Sequence, residues 1–452
     1  MTTEERDKML TIQKTLFNNA NIMKTQLKAP SIKPNSNKYV NVANLINKDR
    51  IVDTFTKLAV IGSGSNEALA EERIPSTDSQ KDIAIYLKDE LTNMGFSNAS
   101  IDENFIVTAT LSNNSDSNKS IGLLAHYDTA EDAPNSNVKP QIHKYQSGDI
   151  NLKDGTVISK NDLAPYKGQE IITSDGTTLL GADDKAGIAE ILEALKVLIE
   201  NPQIKHPEIK VAFTPDEETG CGISKFNIQS FGVDAAYTID GDVPNVIENE
   251  SFNAFNPEII IKGKSVHCGF AKGKMINSIN VANWIAQKLP KNQTPQTTEK
   301  REGYYHIDQI SGNVSSTKIN MLVRDFDFSN AQKRIEYLKK VIDKAEKKFG
   351  CEIEFNEKER YHNMKEYIDK SPEVMDNAIK GLKMSGLKPE TKSIRGGTDG
   401  SQLSQRGLPT PNLGAGGLNF HSKSEFLPIP SLTKCCENIL NILQVWAENI
   451  SK

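Results

Sequence analysis

The chain has 452 residues, of which 37% are hydrophobic and 25% charged, with a formal net charge of −5. That length is enough for two or three domains. The small acidic excess excludes charge-driven binding to nucleic acid or an anionic membrane, and no apolar run approaches the ~20 residues that cross a bilayer.

The chain opens on "MTTEERDKML", which is charged and lacks the apolar centre of a signal peptide, so a cytoplasmic protein is expected. Met9, Ile12, Leu16, Met23 and Leu27 recur at helical spacing and predict an amphipathic helix over residues 1–28. A Pro/Asn/Ser linker follows over residues 29–39, and a second helix is predicted over Val42–Ala59. Up to residue 252, helices then alternate with short apolar strands: helix Gln80–Met94, strand 121–128, helix Lys185–Glu200, and strands 209–213 and 235–240. That alternation predicts an α/β domain.

A different pattern comes next. Strand 258–263, helix 277–289, strands 304–311 and 317–327, helix Ser329–Phe349 and strand 351–355 follow one another. Ile335, Leu338, Val341, Ile342 and Ala345 give the long helix one apolar stripe. The order β-α-β-β-α-β is ferredoxin-like. The expected organisation is an N-terminal helical extension and linker (1–47), an α/β domain in two parts (48–252 and 361–452), and a smaller domain (253–360) inserted between them. Cys221, Cys268, Cys351, Cys435 and Cys436 match neither a disulfide framework nor a CxxC-type zinc site.

Polar residues gather where the apolar strand runs stop. "GLLAHYDTA" supplies His126 and Asp128, which point the same way on a strand. "TLLGADDKAG" supplies Asp183 and Asp184, "TPDEETG" supplies Asp216, Glu217 and Glu218, and "YTIDGD" supplies Asp240 and Asp242. A later Gly-rich stretch ends in "NFHSKSEF", with His421. Ligand sites of open α/β sheets form beyond the carboxyl ends of strands, so these segments could converge. A donor pool of His and Asp/Glu without cysteine suits one or two zinc ions or another divalent metal. A dication would also make the run Asp216–Glu218 tolerable, neutralising one carboxylate and leaving its neighbour to handle protons. Asp184 and Asp242 are expected to act as cap or turn residues, and His143, His206, His306 and His362 as structural ones.

Taken in order, "IPSTDSQ", "AHYDTA", "TLLGADDKAGIAEI", "TPDEETGCG", "YTIDG", "SVHCGFAKGKMINS", "RDFD", "IRGGTDGSQL" and "NFHSKSEF" resemble the peptidase T family over residues 50–450. These are aminotripeptidases among the co-catalytic dizinc exopeptidases, with an α/β/α catalytic domain and an inserted lid. The resemblance implies that His126 and Asp240 bind one zinc, that Glu218 and His421 bind the other, and that Asp183 bridges both. It makes Asp128 the residue that orients His126, and Glu217 the general base that takes a proton from a water held by the two zinc ions. It assigns His267, Arg324 and Arg395 to the carbonyl and carboxylate ends of the substrate. Co2+ or Mn2+ could replace zinc, and the lid is a candidate surface for a homodimer.

Four substitutions stand out against the family pattern. Cys268 replaces the proline after the lid histidine, Phe270 replaces a small polar residue, and Ser422 and Ser424 stand where glycine and a second histidine are usual. None removes an implied ligand or the base. The expected function is hydrolysis of the N-terminal peptide bond of tripeptides. The alternatives are a metal-dependent deacylase or amidase of N-acyl amino acids and a non-catalytic interaction protein on this fold.

Overall fold

The structure, a computed structural model, describes residues 39–448 and divides into two compact units. The helix expected over 1–28 and the linker up to residue 38 lie outside the described residues. The larger unit comprises the described chain up to Glu248, Lys370–Lys392, and Leu408 onward. The smaller comprises Asn249–Asp369 and Ser393–Gly407, so residues 249–252, 361–369 and 393–407, expected in the larger domain, belong to it.

The larger unit is built on an eight-stranded sheet. Its centre is β1 (Ser120–His126), β2 (Glu208–Thr214), β3 (Ala235–Gly241) and β4 (Asn412–Gly414). These lie in the order β2-β1-β3-β4 and are mutually parallel, with antiparallel strands Val107–Leu111 and Val246–Glu250 on either side. β1 and β3 are buried along almost their whole length, which is why they read as unbroken apolar runs instead of alternating ones. Because the four are parallel, their carboxyl ends share one sheet edge. His126 pairs in register with Thr214, and Gly414 with Gly241.

Helix α1 (Ala182–Glu200) is buried on nearly all sides and packs on β1 and β3. The approach needs Gly187, since a Cβ there would lie 2.0 Å from the Ile239 carbonyl oxygen. Helices Lys48–Val60 and α2 (Ile429–Trp446) pack against α1. The first of these starts later than the expected Val42. The Asn47 side chain accepts from the Arg50 N–H at 3.0 Å and fixes the helix start there. A three-stranded sheet, Gln141–Lys144, Glu170–Thr173 and Phe426–Pro428, has no counterpart among the expected strands.

In the smaller unit the strands Glu352–Asn356, Glu258–Lys262, Ser316–Asp325 and Tyr304–Gly312 lie side by side in that order, all antiparallel. Together with helices Ser278–Lys288 and Phe328–Phe349 they make the expected ferredoxin-like arrangement. Strands Asn253–Phe255 and Glu359–Tyr361 extend the sheet. The long helix buries Ile335, Leu338, Val341, Ile342 and Ala345, and Asp327 caps it by accepting from the Asn330 N–H at 2.8 Å. Among the described residues no helix is long and apolar enough to cross a membrane.

Candidate metal centre

The three successive carboxylates beyond β2 have separate surroundings. Asp216 is fully buried with φ +50°, and its carboxylate accepts from the Ser76 N–H at 2.6 Å, the Ser76 hydroxyl, and Gln80 Nε2 at 2.7 Å. Burial raises its carboxyl pKa, and these donors oppose the shift. It is a strut for the turn. The N–H groups of Glu217 and Glu218 donate to the two oxygens of Asp128, at 3.0 and 3.3 Å. Asp128 Oδ1 also lies 3.2 Å from His126 Nδ1, so one fully buried carboxylate links the end of β1 to the turn beyond β2.

Five donors expected to be ligands converge on that edge. Asp183 Oδ1 is 2.9 Å from His126 Nε2, which is 3.5 Å from Asp240 Oδ1. Asp183 Oδ2 is 3.3 Å from His421 Nε2, which is 2.9 Å from Glu218 Oε2. The two oxygens of Asp183 thus face two different imidazoles, each with its own second carboxylate. Glu218 Oε1 is buried without a hydrogen-bond partner. Asp184 accepts from the His126 N–H at 3.2 Å and from the Gly187 N–H at 3.2 Å, the helix-cap part expected of it, although it also clusters with His126 and Asp240. The Asp240 N–H is held by Asn412 Oδ1 at 3.1 Å.

The electrostatics follow from crowding of negative charge. Burial opposes an imidazolium at His126, but Asp240, Asp128 and Asp183 outweigh it and hold its pKa well above the ordinary range. His421 is pushed up to about 11 by its bonds to Asp183 and Glu218. Burial works to raise the Asp183 carboxyl, yet bonds from both imidazoles hold it below the usual carboxylate range. Glu218 is pushed up to about 7 by burial and then by the charge on Asp183. In the Glu218–His421 pair the proton belongs on the imidazole, because Asp183 faces both partners. A site that draws protons onto two histidines also draws divalent cations. The donor set, two imidazoles and three carboxylates with an unspent buried oxygen on Glu218, fits such ions.

The other expected residues belong to the smaller unit. His267 is exposed; its Nδ1 accepts from the Gly269 N–H at 3.1 Å, and its ring lies 5.5 Å from that of Phe270, itself 71% exposed. Arg324 is buried, and its NH1 donates to the Phe255 and Val323 carbonyls and to Asn256 Oδ1. Arg395 donates to the carbonyls of Lys300 and Glu302 and to Thr298 Oγ1, with Phe252 and Tyr304 rings beside its guanidinium. Both arginines therefore brace their own unit.

Two carboxylates beside the centre went unread in the sequence. Asp132 Oδ2 lies 3.1 Å from His421 Nδ1. Glu425 accepts three backbone N–H groups in the turn that carries Asp183. Each lies within six residues of an expected ligand, His126 or His421, and that proximity was the available signal. The departures at Ser422 and Ser424 brace the His421 loop: Ser422 Oγ donates to the Asn419 carbonyl at 2.7 Å and lies 2.9 Å from Ser424 Oγ.

Residues 156–445 match the model of Peptidase family M20/M25/M40. Over 414 residues the chain is 44% identical to peptidase T of Geobacillus thermodenitrificans, covering 89% of this chain and all of that one. A tripeptidase from Staphylococcus aureus has a similar structure, with TM-score 0.72 and 26% identity over 90% of this chain and all of that one. A dinuclear metal-binding peptidase of the M20 family from Bacillus subtilis shares the fold at TM-score 0.59 and 16% identity, over 89% and 99% of the two chains.

Proposed function

The chain belongs to peptidase family M20/M25/M40 and to its peptidase T group, and from that membership we propose that it is a metal-dependent aminopeptidase hydrolysing the N-terminal peptide bond of tripeptides. The observation that carries the reading is the division of Asp183 between two imidazoles. We assign His126 and Asp240 to one zinc ion, Glu218 and His421 to a second, and Asp183 to both.

When bound, divalent ions supply Lewis acidity that polarises the scissile carbonyl and lowers the pKa of water. The residues of the chain supply the rest. Asp128 fixes the His126 ring and, through two backbone N–H groups, the turn that carries Glu217 and Glu218. Glu217 is assigned as general base, taking a proton from the attacking water and passing it to the leaving amine. His267, with an exposed ring, is assigned to the substrate carbonyl. Arg324 and Arg395 are assigned to the substrate carboxylate, and their bonds within the smaller unit limit what each has left to offer. None of the five cysteines forms a disulfide among the described residues, which suits a reducing compartment and supports a cytoplasmic place.

The deciding experiment measures free amino acid released from an unblocked tripeptide, with chelator, and after zinc is restored. Release from the amino end, abolished by chelator and recovered with zinc, is expected. An N-acetylated tripeptide should be inert. If N-acetyl amino acids are cleaved in preference, the deacylase alternative replaces this reading.

A further inference from the structure

Asp183 can serve two ions only if the loop carrying His421 is held at a fixed distance from the turn carrying Asp183. The two segments are 238 residues apart in sequence, 183 against 421. On the His126 side such a link exists: Asp184, the neighbour of Asp183, accepts from the His126 N–H at 3.2 Å, and α1 seats on β3 at Gly187. On the His421 side, beside the His421–Asp183 contact itself, these two segments are joined by hydrogen bonds through Glu425.

Glu425 is 1% exposed, four residues after His421. Its Oε2 accepts from the N–H groups of Leu180 at 2.7 Å and Gly181 at 2.8 Å, and its Oε1 from the N–H of Asp183 at 3.1 Å. These three donors precede or open α1 and have no helical acceptor available. At its other end Glu425 sits at the base of the His421 loop. The Leu418 and Phe426 backbones close that loop through paired hydrogen bonds of 2.9 and 3.0 Å, and Phe426 is anchored against Thr173 in the small sheet. Inside the loop, Asn419 and His421 both have positive φ, 57° and 58°, a conformation that non-glycine residues keep only when their surroundings impose it.

We propose that Glu425 is a positioning residue that locks the His421 loop to the Asp183 turn, and so governs metal uptake on the Glu218/His421 side of the centre but not on the His126/Asp240 side. This rests on the two-ion reading above. Glu425→Gln is the informative change, because it keeps size and shape. A single amide oxygen can take the Leu180 and Gly181 N–H groups, but an NH2 then faces the Asp183 N–H and that bond is lost.

The test is a zinc titration of metal-free protein against a chromophoric chelator, which reads uptake without any substrate. Wild type should take up two ions. E425Q should keep one at wild-type affinity and bind the other about 10- to 100-fold more weakly. In H421A, where the second side is already gone, adding E425Q should leave uptake of the remaining ion unchanged. Should E425Q fail to fold, E425D, which keeps both oxygens on a shorter arm, is expected to show the same selective loss. Equal weakening of both ions, no weakening, or a further loss in the H421A background overturns the role given to Glu425. A wild-type chain that takes up fewer than two ions overturns the two-ion reading and this inference with it.

Discussion

Glu217 and Glu218 are adjacent, yet the fold gives them different surroundings. Glu218 directs one oxygen at His421 and keeps the other buried and unspent, the condition of a ligand. Glu217 is held at its backbone, where its N–H donates to Asp128 and its carbonyl accepts from the Gly220 N–H, and its carboxylate is assigned to moving protons. The two roles separate experimentally. Glu217→Gln is isosteric and leaves all five assigned donors in place, so the protein should retain both ions. Its kcat should fall by about 10²- to 10⁴-fold, the range for loss of a general base. Metal analysis and steady-state kinetics on the same sample check this. Parallel loss of metal and turnover would mean that base and ligand have been exchanged.

At the scale of elements, the centre depends on strands that position one another. Glu248, on the strand Val246–Glu250, faces Asn412 of β4 in register, and Asn412 Nδ2 donates to it at 2.8 Å. Asn412 in turn holds the Asp240 N–H. Burial pushes the Glu248 carboxyl up to about 7 from 4.5. The sign follows from linkage: below the unfolded value both states hold the proton, and the group has no effect on stability. As pH rises towards 7 the unfolded chain ionises first, so stability falls, and the penalty is complete above the folded value. Its full size is about 3 kcal/mol. Glu248→Gln keeps an acceptor for Asn412 without the charge. It should raise the urea midpoint at pH 8 and leave it nearly unchanged at pH 4.5; equal shifts at both would show that charge is not the cause. This pair also marks how far sequence could be read. β1, β2 and β3 were legible because strands buried on both faces are continuous apolar runs, and the helix Phe328–Phe349 because its stripe keeps helical period. β4 has three residues, and the Gln141–Lys144, Glu170–Thr173 and Phe426–Pro428 strands have three or four each, too short for any period to show. The five donors that converge were legible because each ends an apolar run or lies in a motif block. Asp132, Glu425 and the Glu248–Asn412 pair were not, because each acts through a partner that only the fold brings near.

Across the whole molecule, all five assigned ligands and Glu217 lie in the larger unit, while His267, Arg324 and Arg395 lie in the smaller. Each unit has its own core, one centred on β1, β3, α1 and α2, the other on the ferredoxin-like sheet and its two helices. An ion that binds the folded centre and not the unfolded chain stabilises by mass action, about 3 kcal/mol when free metal is a hundred times its Kd. On the assignment made above, that energy enters through His126, Asp183, Glu218, Asp240 and His421, whose backbone belongs to β1, the start of α1, the turn after β2, β3 and the loop after β4. Hydrogen exchange on metal-free and zinc-loaded protein should therefore show slower exchange of amides in β1, β3 and α1 when zinc is present. Amides in Ser316–Asp325 and Phe328–Phe349 should exchange at the same rate in both samples. Slowing of equal size in both units would mean that the ion stabilises the chain as one cooperative body. Slowing confined to the larger unit would leave the smaller one free to contribute through substrate alone, as the assignment of His267, Arg324 and Arg395 requires.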